Sequence, residues 1–255
     1  MPHFVNDGLS IHYEVHGSGK PVVMLHGAAV TFAGNFGYCG WIEPMSGRGL
    51  QALGMDLRGH GHSATPPDAT SSGSDAIAGD VVALLDRLGI GRAAIIGYSI
   101  GSQVALHALH THPNRFTAGA LVATGDGLMG VPPLTFPALL PGLAEILRLP
   151  EFPDDLPPHQ AAYWTFAEQM AGDRESVAVA MSGDFPACTP EEVASIEVPM
   201  LVVSGDKDVV LGTGAALAAA LPDGRYHEIA GADHFSLATD DAVQREVAAF
   251  LAEVS

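Results

Sequence analysis

Short apolar runs that recur along the chain constrain its fold more than any other feature. Val22–Leu25, Ala93–Ile96 and Met200–Val203 are uninterrupted apolar runs, the pattern of strands buried on both faces of a parallel sheet. Between them, apolar residues at helical spacing predict helices over Ser74–Leu88 and Ile100–His112. Strands that alternate with helices in this way predict the α/β class, with a mostly parallel, doubly wound sheet and right-handed crossovers.

The rest of the predicted core keeps the same rhythm. Apolar and polar residues alternate over Leu9–Val15, which predicts a half-buried strand after the turn residues Asn6-Asp7-Gly8. Further strands are predicted at Gln51–Asp56, Ala118–Thr124 and Tyr226–Ile229, and a last helix at Ala242–Val254.

The alternation stops between Gly125 and Val198. Short helices are predicted there at Leu139–Leu147 and His159–Met170, and the apolar content is too high for a disordered tether. We therefore predict an α/β core formed by residues 1–124 and 199–255, with a helical cap inserted at 125–198. The prolines that separate its short helices include Pro132, Pro133, Pro137, Pro141, Pro150, Pro153, Pro157 and Pro158.

Composition narrows the possible partners and location. The formal net charge is −18, which disfavours nucleic acids and anionic membranes, because both bind basic surfaces. Cys39 and Cys188 are the only cysteines, and their context indicates free thiols rather than a disulfide or a metal site. The first residues lack the features of a signal peptide, and no apolar run reaches the length of a membrane helix. We expect a cytoplasmic protein with no membrane or nucleic-acid partner.

A predicted strand-to-helix junction carries the pentapeptide Gly97-Tyr98-Ser99-Ile100-Gly101. The motif G-x-S-x-G at such a junction is typical of a nucleophile elbow, a strained turn that exposes the serine hydroxyl beside the start of a helix. Glycine on both sides of the turn removes side chains that would collide with neighbouring backbone. Ser99 is therefore the predicted nucleophile.

Stabilisation of an oxyanion requires peptide N–H groups about 3 Å from the oxygen. The predicted pair is the N–H of Ile100, just after the nucleophile, and the N–H of Ala28 in the loop His26-Gly27-Ala28-Ala29. That loop follows an earlier strand of the same predicted sheet. We interpret the His26 side chain as structural, because its hydrogen bonds can shape the loop.

A serine hydroxyl near neutral pH needs a base, commonly a histidine oriented by a carboxylate. Among 12 histidines, His234 is favoured because its loop follows the last predicted strand, at the carboxyl end of the sheet where ligands gather. His60 and His62, in another such loop, are alternatives. Asp206 and Asp208 both follow the strand Met200–Ser204, and Asp208 is favoured as the acid because it lies further along the loop.

The sequence resembles the α/β-hydrolase superfamily over nearly its whole length. Asp56–Ser63 is similar to the D-x-R-G-x-G-x-S loop of the branch with small esterases, carbon–carbon bond hydrolases, enol-lactonases and cofactor-free haloperoxidases. The resemblance implies that Arg58 is a structural support and that Asp208 is the acid. Ser99 disfavours epoxide hydrolases and haloalkane dehalogenases, in which an Asp is the nucleophile. The stretches that carry the resemblance are His26-Gly27, Asp56–Ser63, Gly97–Gly101, Gly205–Asp208 and Gly231–His234.

One position departs from that pattern. Asp233 stands where the superfamily commonly has a glycine before the histidine. Its carboxylate either raises the pKa of His234 or faces solvent, and the sequence leaves both open.

The leading functional hypothesis is hydrolysis of a carboxylic ester of a small or medium apolar substrate through an acyl-enzyme, with no metal or organic cofactor. Cleavage of a carbon–carbon bond, a lactone or a thioester by the same groups is the alternative, and a non-catalytic ligand receptor is a third. Trp164, Phe166 and Met170 are candidates to line the substrate pocket under the cap, although packing within the cap also explains each. The expected partner is a small acyl substrate, with a homodimer possible.

Overall fold

The computed structural model describes residues 1–131, 136–151, 156–170 and 172–255 of the 255-residue chain. Eight strands within these ranges form one sheet in the order β1-β2-β4-β3-β5-β6-β7-β8. Strands β1 and β2 pair antiparallel, as do β2 and β4, and every other neighbouring pair is parallel. The strands are β1 (His3–Asn6), β2 (Leu9–His16), β3 (Lys20–Leu25), β4 (Leu50–Met55), β5 (Ala93–Tyr98), β6 (Phe116–Val122), β7 (Met200–Gly205) and β8 (Gly224–Ile229).

Helices cover the sheet on both faces. Neighbouring residues of β3 point to opposite faces, so Val23 packs into one hydrophobic cluster and Met24 into the other. The Val23 cluster includes apolar side chains of α2 and α3, and the Met24 cluster those of α1 and α9. The described helices are α1 (Ile42–Ser46), α2 (Ser74–Arg87), α3 (Ile100–Thr111), α4 (Phe136–Leu147), α5 (Pro158–Met170), α6 (Arg174–Met181), α7 (Pro190–Ala194), α8 (Ala215–Ala220) and α9 (Asp241–Val254).

The α/β class and the mostly parallel sheet predicted from the apolar runs are confirmed. The predicted elements lie within a few residues of the observed ones, and Gly89, just past α2, adopts the left-handed conformation (φ 66°) that ends many helices. Strand β1 and the short helices α1, α6, α7 and α8 were not predicted. Helices α4 to α7 lie between β6 and β7, where the sequence predicts an inserted cap. Pro132, Pro133 and Pro153 of that interval lie outside the described residues.

Among the described helices, none combines the length and the apolar character needed to cross a bilayer.

A buried ion pair ties the loop after β4 to helix α2, and its loss gives a first testable prediction. The Arg58 guanidinium donates to both carboxylate oxygens of Asp80 at 2.7 Å, and both side chains are almost fully buried. Replacing Asp80 with Ala leaves a buried guanidinium without its buried charge partner, so we expect the free energy of unfolding to fall by about 3–5 kcal/mol. Urea denaturation measures this change.

Asp7 provides the matched control for that prediction. It also accepts a hydrogen bond from Arg58, at 3.0 Å, but its side chain is 67% exposed. Asp7→Ala should therefore cost about 1 kcal/mol or less. Equal losses for Asp80→Ala and Asp7→Ala would contradict the assignment of Asp80 as the buried partner.

Candidate active site

Ser99 occupies the sharp turn between β5 and α3. Its φ of 55° lies in the left-handed region, which a residue with a side chain adopts at a cost of about 1–3 kcal/mol and which is common at functional sites. A Cβ at Gly97 would lie 2.2 Å from the Gly101 carbonyl oxygen, and one at Gly101 would lie 2.2 Å from the Leu25 carbonyl oxygen. Both positions therefore require glycine, as the predicted elbow demands.

The turn is held by hydrogen bonds to the neighbouring strand. The Ser99 N–H donates to the Val122 carbonyl at 3.0 Å, and the Ser102 hydroxyl contacts the carbonyls of both Gly97 and Val122. The Ser99 side chain consequently projects above the carboxyl end of the sheet, at the first turn of α3.

His234 and Asp208 complete a continuous hydrogen-bonded chain with Ser99. The Ser99 hydroxyl lies 2.9 Å from His234 Nε2, and His234 Nδ1–H donates to Asp208 Oδ2 at 2.8 Å. The Asp208 side chain is fully buried, and its other oxygen accepts from the N–H groups of Val210 and Leu211. Burial alone would raise the pKa of Asp208, but the bond and charge of His234, with these two amides, lower it below its usual value.

The other acidic candidates support loops instead. Asp206 Oδ1 accepts from the Gly231 N–H at 2.7 Å and so holds the loop that carries His234. Asp233 is exposed and accepts from the N–H groups of Phe235 and Ser236, at the start of the single-turn 3₁₀ helix Ser236–Thr239. These hydrogen bonds, that of Ser236 first, lower the pKa of the Asp233 carboxyl. The Asp233 side chain is therefore exposed to solvent and caps the turn that follows His234.

Two buried histidines near the site are neutral structural groups. His26 Nδ1–H donates to the Gly27 carbonyl at 2.7 Å, and Nε2 accepts from the Leu57 N–H at 2.9 Å, as expected for a side chain that shapes the loop. His60 Nε2 accepts from the Ala29 N–H at 3.2 Å. Burial, with the nearby His26 adding to it, lowers the pKa of His60 to about 3. His60 is therefore not available as a base, and His62 is exposed, with its ring against buried His12.

Of the two predicted oxyanion donors, Ile100 directly follows Ser99, and Ala28 lines the same cavity as Ser99. The Ile100 N–H is the first of α3, a position that has no acceptor within a helix. In the loop after β3, the Gly27 N–H donates to Asn35 and the Ala29 N–H to His60, which engages the amides on either side of Ala28. Neither the Ile100 N–H nor the Ala28 N–H makes a hydrogen bond within the described parts of the chain.

A cavity of about 220 Å³ opens at Ser99 and is lined mostly by apolar side chains. Phe166 and Met170 line it, as predicted, because they are four residues apart on one face of α5. Trp164 does not, which corrects the prediction. Because Trp164 lies two residues before Phe166, it faces another side of the helix. Its ring stacks under the Arg174 guanidinium. The cavity is also lined by Gly27, Ala28, Val30, Gly34, Asn35, Cys39, Tyr98, Leu143, Tyr163, Val210, His234, Phe235, Ala238 and Thr239.

Several of these lining residues were missed from the sequence. Tyr98, the second residue of the pentapeptide, donates its hydroxyl to the His234 carbonyl at 2.6 Å and so fixes the histidine loop to the elbow. Phe235 packs edge-on against the His234 ring and beside Phe166. Phe235 could be proposed from the sequence because it directly follows the predicted base, His234. No sequence pattern marks Asn35 or Cys39.

Within the described ranges, no three His, Cys, Asp or Glu side chains come close enough to hold a metal ion. The arrangement at the cavity floor suits proton transfer. His234 can accept the Ser99 proton through Nε2 while Asp208 fixes its Nδ1–H.

Known proteins are similar to this chain in both sequence and fold. A family model described as alpha/beta hydrolase fold matches residues 20–187. A 2-hydroxy-6-oxononadienedioate/2-hydroxy-6-oxononatrienedioate hydrolase of Pseudomonas putida is 36% identical over 133 residues, 51% of this chain and 46% of that protein. Epoxide hydrolase 2 of Siraitia grosvenorii is 32% identical over 112 residues, 44% of this chain and 34% of that protein.

Est816, a solved structure described as an N-acyl homoserine lactone degrading enzyme, superposes with a TM-score of 0.72 at 28% identity and covers 96% of this chain and 98% of its own. The matches to the two curated relatives span only a third to a half of those proteins. The family model, by contrast, spans well over half of this chain. The chain therefore belongs to the α/β-hydrolase family.

Proposed function

We propose that this chain is a serine hydrolase that cleaves a carboxylic ester of an uncharged, largely apolar substrate through an acyl-enzyme. One observation carries the proposal: the unbroken hydrogen-bonded chain from Asp208 through His234 to Ser99, at the floor of an apolar cavity. Side chains from three separate loops converge on this geometry, and packing of the sheet does not require that they meet.

The proposed reaction has two stages. His234 Nε2 takes the proton of Ser99 as the hydroxyl attacks the ester carbonyl, and the N–H groups of Ala28 and Ile100 stabilise the resulting oxyanion. His234 then protonates the leaving alcohol. In the second stage, His234 activates a water molecule that releases the acyl group from Ser99. The carboxylate of Asp208 stabilises the protonated imidazole in both stages.

The cavity favours apolar substrates. Its lining includes Leu143, Tyr163, Phe166 and Met170, which belong to helices α4 and α5 between β6 and β7. We propose that these helices act as a cap that removes the reacting carbonyl from water, which strengthens the electrostatic interactions inside.

Lactone opening is the second candidate, and the full-length likeness to Est816 favours it. A lactone is an internal ester, so the same groups perform the same steps, with the leaving alcohol retained on the acyl group. Epoxide opening is a weaker candidate despite the similarity to an epoxide hydrolase, because Ser99 stands where the family resemblance places an aspartate nucleophile in those enzymes.

A fluorophosphonate probe tests the proposal directly, because it reacts preferentially with the activated serine of a serine hydrolase. We expect the wild-type protein to be labelled on Ser99, as located by peptide mass spectrometry, and Ser99→Ala to be unlabelled. Ser182→Ala is the control. Ser182 follows α6, its hydroxyl bonds the Ala178 carbonyl, and it is not among the described residues that line the cavity, so its loss should leave labelling intact. An unlabelled wild type, or a Ser99→Ala variant labelled as strongly as wild type, would contradict the serine-hydrolase proposal.

A further inference from the structure

We infer that Asn35 is a specificity-determining residue whose side-chain amide binds a second, uncharged oxygen on the acyl part of the substrate. The inference rests on the proposed function and extends it, because it names a feature of the substrate besides the ester group. It follows from the fixed orientation of the Asn35 carboxamide, from the lack of a hydrogen-bond acceptor for its nitrogen in the described chain, and from the chemistry of the surrounding cavity.

The orientation of the Asn35 carboxamide is fixed by its environment. The Gly27 N–H contacts Asn35 Oδ1 at 2.8 Å, and since a peptide N–H can only donate, the atom that faces it must be the oxygen. The Nδ2 group then points away from the loop. Asn35 itself lies in a π-helical turn, Ala33–Gly37, a rare geometry that is frequent at functional sites.

The Asn35 nitrogen is a donor without an acceptor. Asn35 is only 4% exposed and lines the cavity, yet its Nδ2 group makes no hydrogen bond to any part of the chain that the structure describes. The nitrogen is not sealed off from the cavity, so a substrate can reach it. A substrate oxygen that accepts from it would gain a hydrogen bond in apolar surroundings.

Other polar side chains of the cavity wall already have partners in the protein. The Tyr98 hydroxyl donates to the His234 carbonyl, and the Cys39 thiol contacts the Gly34 carbonyl. The hydroxyl of Tyr163 lies against the Met181 sulfur, and that of Thr239 against the Ser236 carbonyl. Among the described lining side chains outside the proposed catalytic groups, Asn35 therefore offers the free donor.

The charge of the lining decides what kind of oxygen binds there. No Lys or Arg is among the described residues that line the cavity, so a carboxylate would be buried without a cation. A ketone or amide oxygen carries no such cost. The partner of Asn35 is therefore an uncharged oxygen, such as that of a ketone or an amide.

The position of Asn35 relative to Ser99 and Ala28 places that oxygen on the acyl side of the substrate. A Cβ built on Gly27 would lie 3.5 Å from both Asn35 Oδ1 and Ser99 Cβ, so the carboxamide sits beside the nucleophile. Asn35 also holds the peptide next to Ala28, whose N–H is the proposed contact of the acyl carbonyl. The group that reaches Asn35 is thus a near neighbour of that carbonyl.

Three p-nitrophenyl esters of similar size form the test: 4-oxopentanoate, its apolar isostere 4-methylpentanoate, and the charged succinate half ester. The variants are Asn35→Asp, which keeps an oxygen for the Gly27 N–H but removes the donor, and Asn35→Leu, which removes both without adding charge. The readout is the ratio of kcat/KM for 4-oxopentanoate to that for 4-methylpentanoate. Comparing this ratio between variants cancels the intrinsic reactivity of the esters.

We expect the ratio to fall about tenfold in both variants relative to wild type, as loss of one buried hydrogen bond predicts. We also expect wild type to hydrolyse the succinate half ester at least tenfold less efficiently than 4-oxopentanoate. Thermal melting establishes that each variant is folded. A merely structural role for Asn35 would lower activity toward all esters equally and leave the ratio unchanged.

An unchanged ratio in both folded variants therefore overturns the inference, and efficient hydrolysis of the half ester overturns its restriction to uncharged oxygens. Either result, obtained with a wild type that reacts with fluorophosphonate, leaves the proposed function standing. A wild type that neither labels nor hydrolyses any ester overturns both.

Discussion

Replacing His234 with Ala is expected to lower kcat for ester hydrolysis by about a millionfold, the scale on which loss of the base acts in a serine–histidine–aspartate set. His234 Nε2 is 2.9 Å from the Ser99 hydroxyl and is the group placed to take its proton. Without it, Ser99 keeps its hydroxyl proton and only binding and the oxyanion donors remain. Steady-state kinetics with a p-nitrophenyl ester measure the loss.

His62→Ala is the control, because His62 is an alternative base in the sequence. Its ring packs against buried His12, and it is not among the described residues that line the cavity. We expect its kcat to stay within a few-fold of wild type. A comparable loss in both variants, or a His234→Ala variant that retains most of its turnover, would show that another group activates Ser99.

The predictable part of the fold is the part set by local pattern. The runs Val22–Leu25 and Ala93–Ile96 send alternate residues into two apolar clusters, one on each face of the sheet, so they could be identified without knowing their partners. The order of the strands in the sheet, by contrast, cannot be predicted from local pattern. Strand β3 lies between β4 and β5, a crossover that depends on contacts between residues distant in the chain.

The least predictable part of the site is the segment between β3 and β4. Asn35 sits there in a π-helical turn whose hydrogen bonds run from Tyr38 to Ala33 and from Trp41 to Phe36, five residues back. Neither the 3.6-residue period of an α-helix nor the alternation of a strand describes this spacing. The polar contact to Gly27 that gives Asn35 its role is formed only in the folded chain.

The helices between β6 and β7 show the limit of composition as a guide. Their apolar content indicates packing, but Trp164 and Phe166 look equivalent until their positions on one helix are compared. Phe166 reaches the cavity and Phe235, whereas Trp164 packs against Arg174. The bounds of the cap at 125 and 198 stay a prediction, as do the catalytic roles.

The choice between two aspartates in Gly205-Asp206-Lys207-Asp208 gives the second large prediction. Asp208→Asn is expected to lower kcat by about ten-thousandfold. An asparagine at this position can donate its amide N–H to Nδ1, which favours the tautomer with the proton on Nε2. That tautomer cannot accept the proton of Ser99. The side chain is fully buried, so the substitution also removes the charge that stabilises the imidazolium.

Asp206→Asn is the matched comparison, two residues away in the same loop. Asp206 Oδ1 accepts from the Gly231 N–H, and the oxygen of an asparagine can keep that hydrogen bond. We therefore expect kcat to change by a few-fold at most. The melting temperature should stay within about a degree or two of wild type, which for a chain of this size corresponds to well under 1 kcal/mol in the free energy of unfolding. A larger kcat loss at Asp206 than at Asp208 would transfer the acid role to Asp206. Similar losses at both would mean that the loop as a whole, rather than the carboxylate on Nδ1, sets the reactivity of Ser99.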